Sequence, residues 1–137
     1  MQIPSIIEFR EDCHNVLQET LLAVLPNEGC ALLIGDIENS QNALNNNSWK
    51  IHNIWPCCNV WEPGIFKLTS ISKKINATRE KDSQQNKFAI DPREQILAQN
   101  WARKYKWKVL GTAHSHPFGK PIPSSIDLLC NPFPGLM

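Results

Sequence analysis

The sequence predicts an α/β fold, with helices laid on a mixed or antiparallel sheet, and three observations predict it. Apolar residues recur at spacings of three and four between Cys13 and Leu25. A glycine-bounded apolar run follows at 29–35, and a second capped helix near 91–105 leads straight into a strand. Helix, strands, helix, strand is the order of a layered domain with one core.

A short extended start precedes the first helix. Cys13, Val16, Leu17, Thr20, Leu21, Val24 and Leu25 make one apolar stripe over about four turns, which Pro26-Asn27 ends. Gly29 to Gly35, GCALLIG, is too short for an ordinary helix and reads as a buried strand, with Glu28 on the joint between the two. The asparagine-rich residues 38–48 read as a solvated loop. Trp49 to Trp55 and Val60 to Thr69 read as two further strands, separated near Pro56 and broken at Pro63-Gly64. Residues 72–87 are polar and charged and read as a surface loop. Asp91-Pro92 announces the second helix, an N-cap followed by proline at the first helical position, with Ile96, Leu97, Trp101 and Tyr105 as its apolar face. The strand Trp107 to Thr112 then delivers the chain to Ala113-His114-Ser115-His116.

At 137 residues the chain is expected to be one domain. An apolar share of 42%, a charged share of 20% and a net charge of +1 lack the bias that nucleic acid or an anionic membrane surface demands of a partner. The N-terminus has no basic leader, and no segment approaches the roughly 20 apolar residues of a membrane span, so a cytoplasmic location is expected. The five cysteines have no CxxC spacing, which argues against a disulfide framework and a cysteine-based zinc knuckle. Adjacent Cys57 and Cys58 would point to opposite faces of a strand.

The chemistry gathers at 114–127. In an extended backbone His114 and His116 project from one face while Ser115 points away. Two imidazoles can then reach one ion, and Asp127, across a proline-stiffened loop, would complete a His2Asp set with a position left for water. The same residues have a plainer reading. Histidines on strands commonly satisfy ordinary hydrogen bonds, and Pro-Ser-x-x-Asp at 123–127 is a helix cap with an acidic first turn, worth about 1 kcal/mol.

The combination His114-Ser115-His116-Pro117, six residues, then Ser124-x-x-Asp127 resembles the signature of the JAMM metalloproteases, the MPN or Mov34 (JAB) domain family. Pro26-Asn27-Glu28, just before the apolar strand, and Phe88-Ala89-Ile90-Asp91-Pro92 are similar to segments of its bacterial members. The resemblance implies a cytidine-deaminase-like, three-layer fold on a largely antiparallel sheet. It also implies one zinc ion held by His114, His116 and Asp127, Glu28 as general base, and Ser124 as a donor to the developing oxyanion. Ser115, behind the ligands, would fix the backbone of the motif.

The implied activity is hydrolysis of a peptide or isopeptide bond at the C-terminal tail of a ubiquitin-like or sulfur-carrier protein. The family also has scaffolding members, so a non-catalytic interaction module or an inactive truncated homologue is the alternative. Pro134-Gly135-Leu136 resembles the start of a passage into further core strands, and the sequence stops at Met137. The last strands are therefore expected to be missing, with self-association or a partner chain completing the sheet. Asn131-Pro132-Phe133-Pro134 argues against a long helix after Asp127.

Overall fold

A computed structural model of the chain describes residues 4–39, 47–65, 81–130 and 135–137. The elements run β1 (Ile6–Phe9), α1 (Cys13–Leu22), β2 (Cys30–Asn39), β3 (Asn47–Cys57), α2 (Pro92–Lys104), β4 (Lys108–His114) and α3 (Ser125–Cys130). The sheet order is β1-β3-β2-β4, with β1 parallel to β3 and the other neighbours antiparallel. The fold is thus the expected mixed α/β arrangement on a largely antiparallel sheet.

The first half of β2, Cys30 to Ile34, is apolar because both of its faces are covered. Ala31 and Leu33 join Cys13 and Leu17 of α1, Trp49, Ile51, Ile54 and Leu110 on one face. Cys30, Leu32 and Ile34 join Ala98 and Ala102 of α2 and Ile90 on the other. α1 and α2 therefore sandwich the sheet. The β2–β3 register slips between Ile34 and Gly35, leaving His52 as an extra residue. That bulge changes the parity of β3, so Ile51 and Ile54 reach the same core. A Cβ at Gly35 would collide with the carbonyl oxygen of Lys50, which explains a glycine inside the strand.

Four expectations are corrected. α1 has ten residues and ends at Leu22; residues 23–26 form turns, and Val16, Leu22, Val24 and Leu25 stay exposed, because the sheet covers only the side carrying Cys13 and Leu17. β3 continues through Pro56 as one strand. β1 pairs only with Ser48 to Ile51, so the missing N–H of Pro56 costs no ladder bond. Residues 60–65 are not a strand. Val60 donates to the carbonyl of Ala89, Trp61 donates to Asn59 Oδ1, and 63–65 turn; the rest of the expected strand lies outside the described residues. On α2 the inward side chains are Ala98, Ala102 and, as expected, Trp101, which is partly buried against that core, while Ile96 and Leu97 are 57% and 55% exposed and Tyr105 is exposed. Small residues let the helix lie close to the sheet. Its start matches expectation, with the Asp91 side chain accepting from Arg93 N–H and Pro92 in the first turn.

The asparagine-rich segment is partly strand, since β2 runs to Asn39 and β3 starts at Asn47; 40–46 lies outside the described residues. At the other end, Leu136 forms a parallel bridge with Gly111 on the outer side of β4, bonding through Thr112 N–H and Leu110 C=O.

Candidate metal centre

β4 ends on His114, and the Phe88 ring stacks on its imidazole at 4.3 Å between centroids. His116 follows just past the strand. Its Nδ1 lies 2.7 Å from the carbonyl oxygen of Lys120, so Nδ1–H donates there and Nε2 is turned to the other side as the free ligand atom. His114 Nε2 and His116 Nε2 are 2.7 Å apart. The alternation read from the sequence thus brings both imidazoles to one point.

α3 brings the carboxylate. Asp127 N–H donates to Ser124 Oγ at 3.2 Å, and Asp127 Oδ2 accepts from Ser124 N–H at 2.6 Å, the reciprocal pattern of a capping box. The cap fixes the rotamer, and Oδ2 lies 3.4 Å from both His114 Nε2 and His116 Nε2. Asp127 is only 8% exposed. Burial by itself pushes its pKa up, but hydrogen bonds from His114 and from the Ser124 hydroxyl and backbone outweigh this and hold the carboxyl well below the usual carboxylate range. The cap and the approach to the two imidazoles both belong to one side chain.

Glu28 sits at the α1–β2 junction, 5% exposed. Glu28, His114 and His116 each offer a ligand atom, all within 4.8 Å of one another. Burial raises the Glu28 pKa above its ordinary value; the histidine pair and Lys87 pull it back, and Asp127 adds to the rise. The junction is locked to the histidine motif by Ser115. Its hydroxyl accepts from Gly29 N–H at 2.9 Å and approaches the Leu21 carbonyl at 3.4 Å, while its own N–H donates to Gly29 C=O at 3.0 Å. A Cβ on Gly29 would strike the Leu21 backbone, so the close crossing requires glycine. Ser115→Ala is expected to leave the Gly29 N–H without its partner and cost about 1–3 kcal/mol in denaturant unfolding, with the m-value unchanged.

The residues fit a metal ion. A tetrahedral ion with bonds of about 2.0 Å needs ligand atoms about 3.3 Å apart, and two imidazoles with a carboxylate are a zinc-type donor set. The Asp127 oxygen stands at 3.4 Å from each imidazole nitrogen, which matches that spacing, whereas the two nitrogens are 2.7 Å apart and must separate to share an ion. Ser124 is exposed, and its hydroxyl oxygen accepts from Asp127 N–H.

The profile of the family described as prokaryotic homologs of the JAB domain matches residues 10–132. The chain belongs to this family. No curated protein matches it by sequence. Among solved structures it is similar to the solution structure of a protein from Desulfitobacterium hafniense, at 26% identity and a TM-score of 0.61. That likeness covers 88% of this chain and 64% of the other, so the chain spans less than two thirds of that protein.

Within this JAB domain, a cleft of about 220 Å³ opens on Glu28, His116 and Asp127 and is also lined by Gln85, Asn86, Lys87, Phe118, Gly119 and Ser124. Residues 85–87, read from the sequence as surface loop, therefore form part of the site. Their polarity hid them, because no periodicity marks a loop that packs through backbone carbonyls. Cys57, the last residue of β3, is half-buried, and Cys58, just past the strand, is exposed. Burial pushes the Cys30 and Cys57 thiols up to about 12, so they stay protonated at neutral pH and make poor ligands. Among the described residues no helix is long and apolar enough to cross a membrane.

Proposed function

We propose that the chain is a zinc-dependent peptidase or isopeptidase, with His114, His116 and Asp127 as ligands and Glu28 as the proton-transfer group. The observation that carries the reading is a buried carboxylate of raised pKa whose ligand oxygen lies within 4.8 Å of the paired imidazole nitrogens. When bound, the ion supplies a polarised carbonyl and a more acidic water. Glu28 accepts the proton of the attacking water and hands it to the leaving amine, a task for which a raised carboxyl pKa is suited. The Ser124 hydroxyl donates to the carbonyl oxygen as negative charge develops there. His116 is held for its role by the Lys120 carbonyl, and His114 by the Phe88 ring.

The substrate proposed is the extended C-terminal tail of a ubiquitin-like or sulfur-carrier protein. A cleft of about 220 Å³ between the 85–87 segment and the Phe118–Gly119 turn suits an extended peptide rather than a folded surface. The test is zinc stoichiometry of the purified chain beside hydrolysis of a C-terminally extended sulfur carrier. One zinc per chain with cleavage at the tail is expected. Absence of zinc under non-chelating conditions sinks the reading, and bound zinc without turnover on any tail peptide favours a non-catalytic interaction module.

A further inference from the structure

We propose that Asn59 is a positioning residue that sets the backbone of Glu28, and with it the wall of the cleft. The inference rests on the peptidase reading above. Glu28 lies just before β2, so its peptide groups are outside the sheet ladder. Its N–H donates to the Gln84 carbonyl at 2.7 Å, and its carbonyl accepts from Asn59 Nδ2 at 3.1 Å. Both partners come from segments beyond β3. The general base is thus held by a clamp from outside its own strand.

Asn59 is the centre of that clamp. Its Nδ2 also faces the carbonyls of Lys87 at 2.9 Å and Gln84 at 3.4 Å, and its Oδ1 accepts from the N–H groups of Trp61 at 3.1 Å and Ala89 at 3.2 Å. Gln84 closes the ring, donating from Nε2 to the carbonyls of Asn59 at 3.0 Å and Trp61 at 3.1 Å. Its Oε1 accepts from Asn27, the neighbour of Glu28, at 3.3 Å. One amide therefore ties the Glu28 junction to the segment that carries Gln85 to Lys87 into the cleft and Phe88 onto His114. Only a short side chain with two donors and a carbonyl acceptor can do this. The His116 and Asp127 ligand atoms are held by other devices, namely the Lys120 carbonyl and the Ser124–Asp127 cap, and His114 meets the clamped segment only through the Phe88 ring.

The test is Asn59→Asp, which keeps the acceptor for Trp61 and Ala89 but turns an oxygen toward three carbonyls. Zinc affinity, kcat and KM for tail hydrolysis, and native-state amide exchange at Glu28 are measured beside wild type. Zinc affinity and KM are expected within about threefold of wild type, with kcat reduced roughly 10- to 100-fold, as misplacement of a catalytic group does. Glu28 amide exchange is expected to speed up by more than the loss of global stability accounts for. A lower Tm with kcat and Glu28 exchange otherwise unchanged makes Asn59 a loop-closing residue and overturns the inference, as does a parallel loss of zinc affinity. Should Asn59→Asp fail to fold, Gln84→Ala removes the return bonds; a several-fold fall in kcat at constant KM is expected, and an unchanged kcat overturns it. If wild type cleaves no tail peptide, the peptidase reading falls by itself, and Glu28 exchange in the variants still decides whether the clamp holds that residue.

Discussion

Glu28→Gln is expected to bind zinc as tightly as wild type while losing about 10²- to 10⁴-fold in kcat, the usual worth of a positioned acid–base group. Glutamine keeps the shape, the backbone bonds to Gln84 and Asn59, and the packing at the junction, but it cannot accept a proton. The same substitution is expected to raise the Tm of the metal-free protein. Burial raises the pKa of Glu28 in the folded state, so the folded chain resists ionising it. Stability associated with this group is full below its unfolded pKa and declines as pH rises through its folded pKa. The neutral amide removes that decline, so the stability gap between variant and wild type should widen from acid toward neutral pH. A site that weakens the fold to keep a buried carboxylate is the common pattern of activity traded against stability. An unchanged kcat in the variant, with zinc bound, would remove Glu28 from the mechanism.

The meeting of His114, His116 and Asp127 was legible in the sequence because it depends on short-range rules. Strand alternation brought His114 and His116 to one side, and Ser-x-x-Asp is a cap whose geometry is local. The buried strand at 29–35 was legible for the same reason, as an apolar run between glycines. What escaped was set by partners far along the chain. Ile96 and Leu97 read as part of the inner face of α2, but that face is made by Ala98, Ala102 and the partly buried Trp101. Val60 to Ile65 had strand composition, but Val60 and Trp61 bond to Ala89 and Asn59 and not to a strand. Asn59 and Gln84 carried no signal at all. Their role is to hydrogen-bond backbone carbonyls and N–H groups, and such contacts depend on where two loops meet rather than on any spacing within one of them.

Asp127→Asn separates the two duties of the carboxylate and should lose one of them. The amide oxygen can still accept from Ser124 N–H, so the first turn of α3 should survive and the cap should cost less than about 1 kcal/mol. The anionic ligand is gone, and zinc affinity is expected to fall about 100-fold or more, since the ion then has two neutral imidazoles as its remaining donors from this set. Thermal scans read this directly. Zinc at about 100 times its Kd stabilises the wild-type fold by about 2.7 kcal/mol, whereas at the same concentration a 100-fold weaker site yields only about 0.4 kcal/mol. The Tm rise on adding zinc should therefore collapse in the variant and be abolished in both proteins by a chelator. The metal-free pH profile gives an independent check. The depressed pKa of Asp127 means that its contribution is complete above the unfolded carboxyl value and is lost as pH falls through the folded value. Wild type should thus lose stability on acidification below about pH 4 more steeply than Asp127→Asn. Equal zinc-induced Tm shifts in the two proteins would exclude Asp127 from the ligand set and leave Glu28, His114 and His116 as the three residues placed to hold the ion.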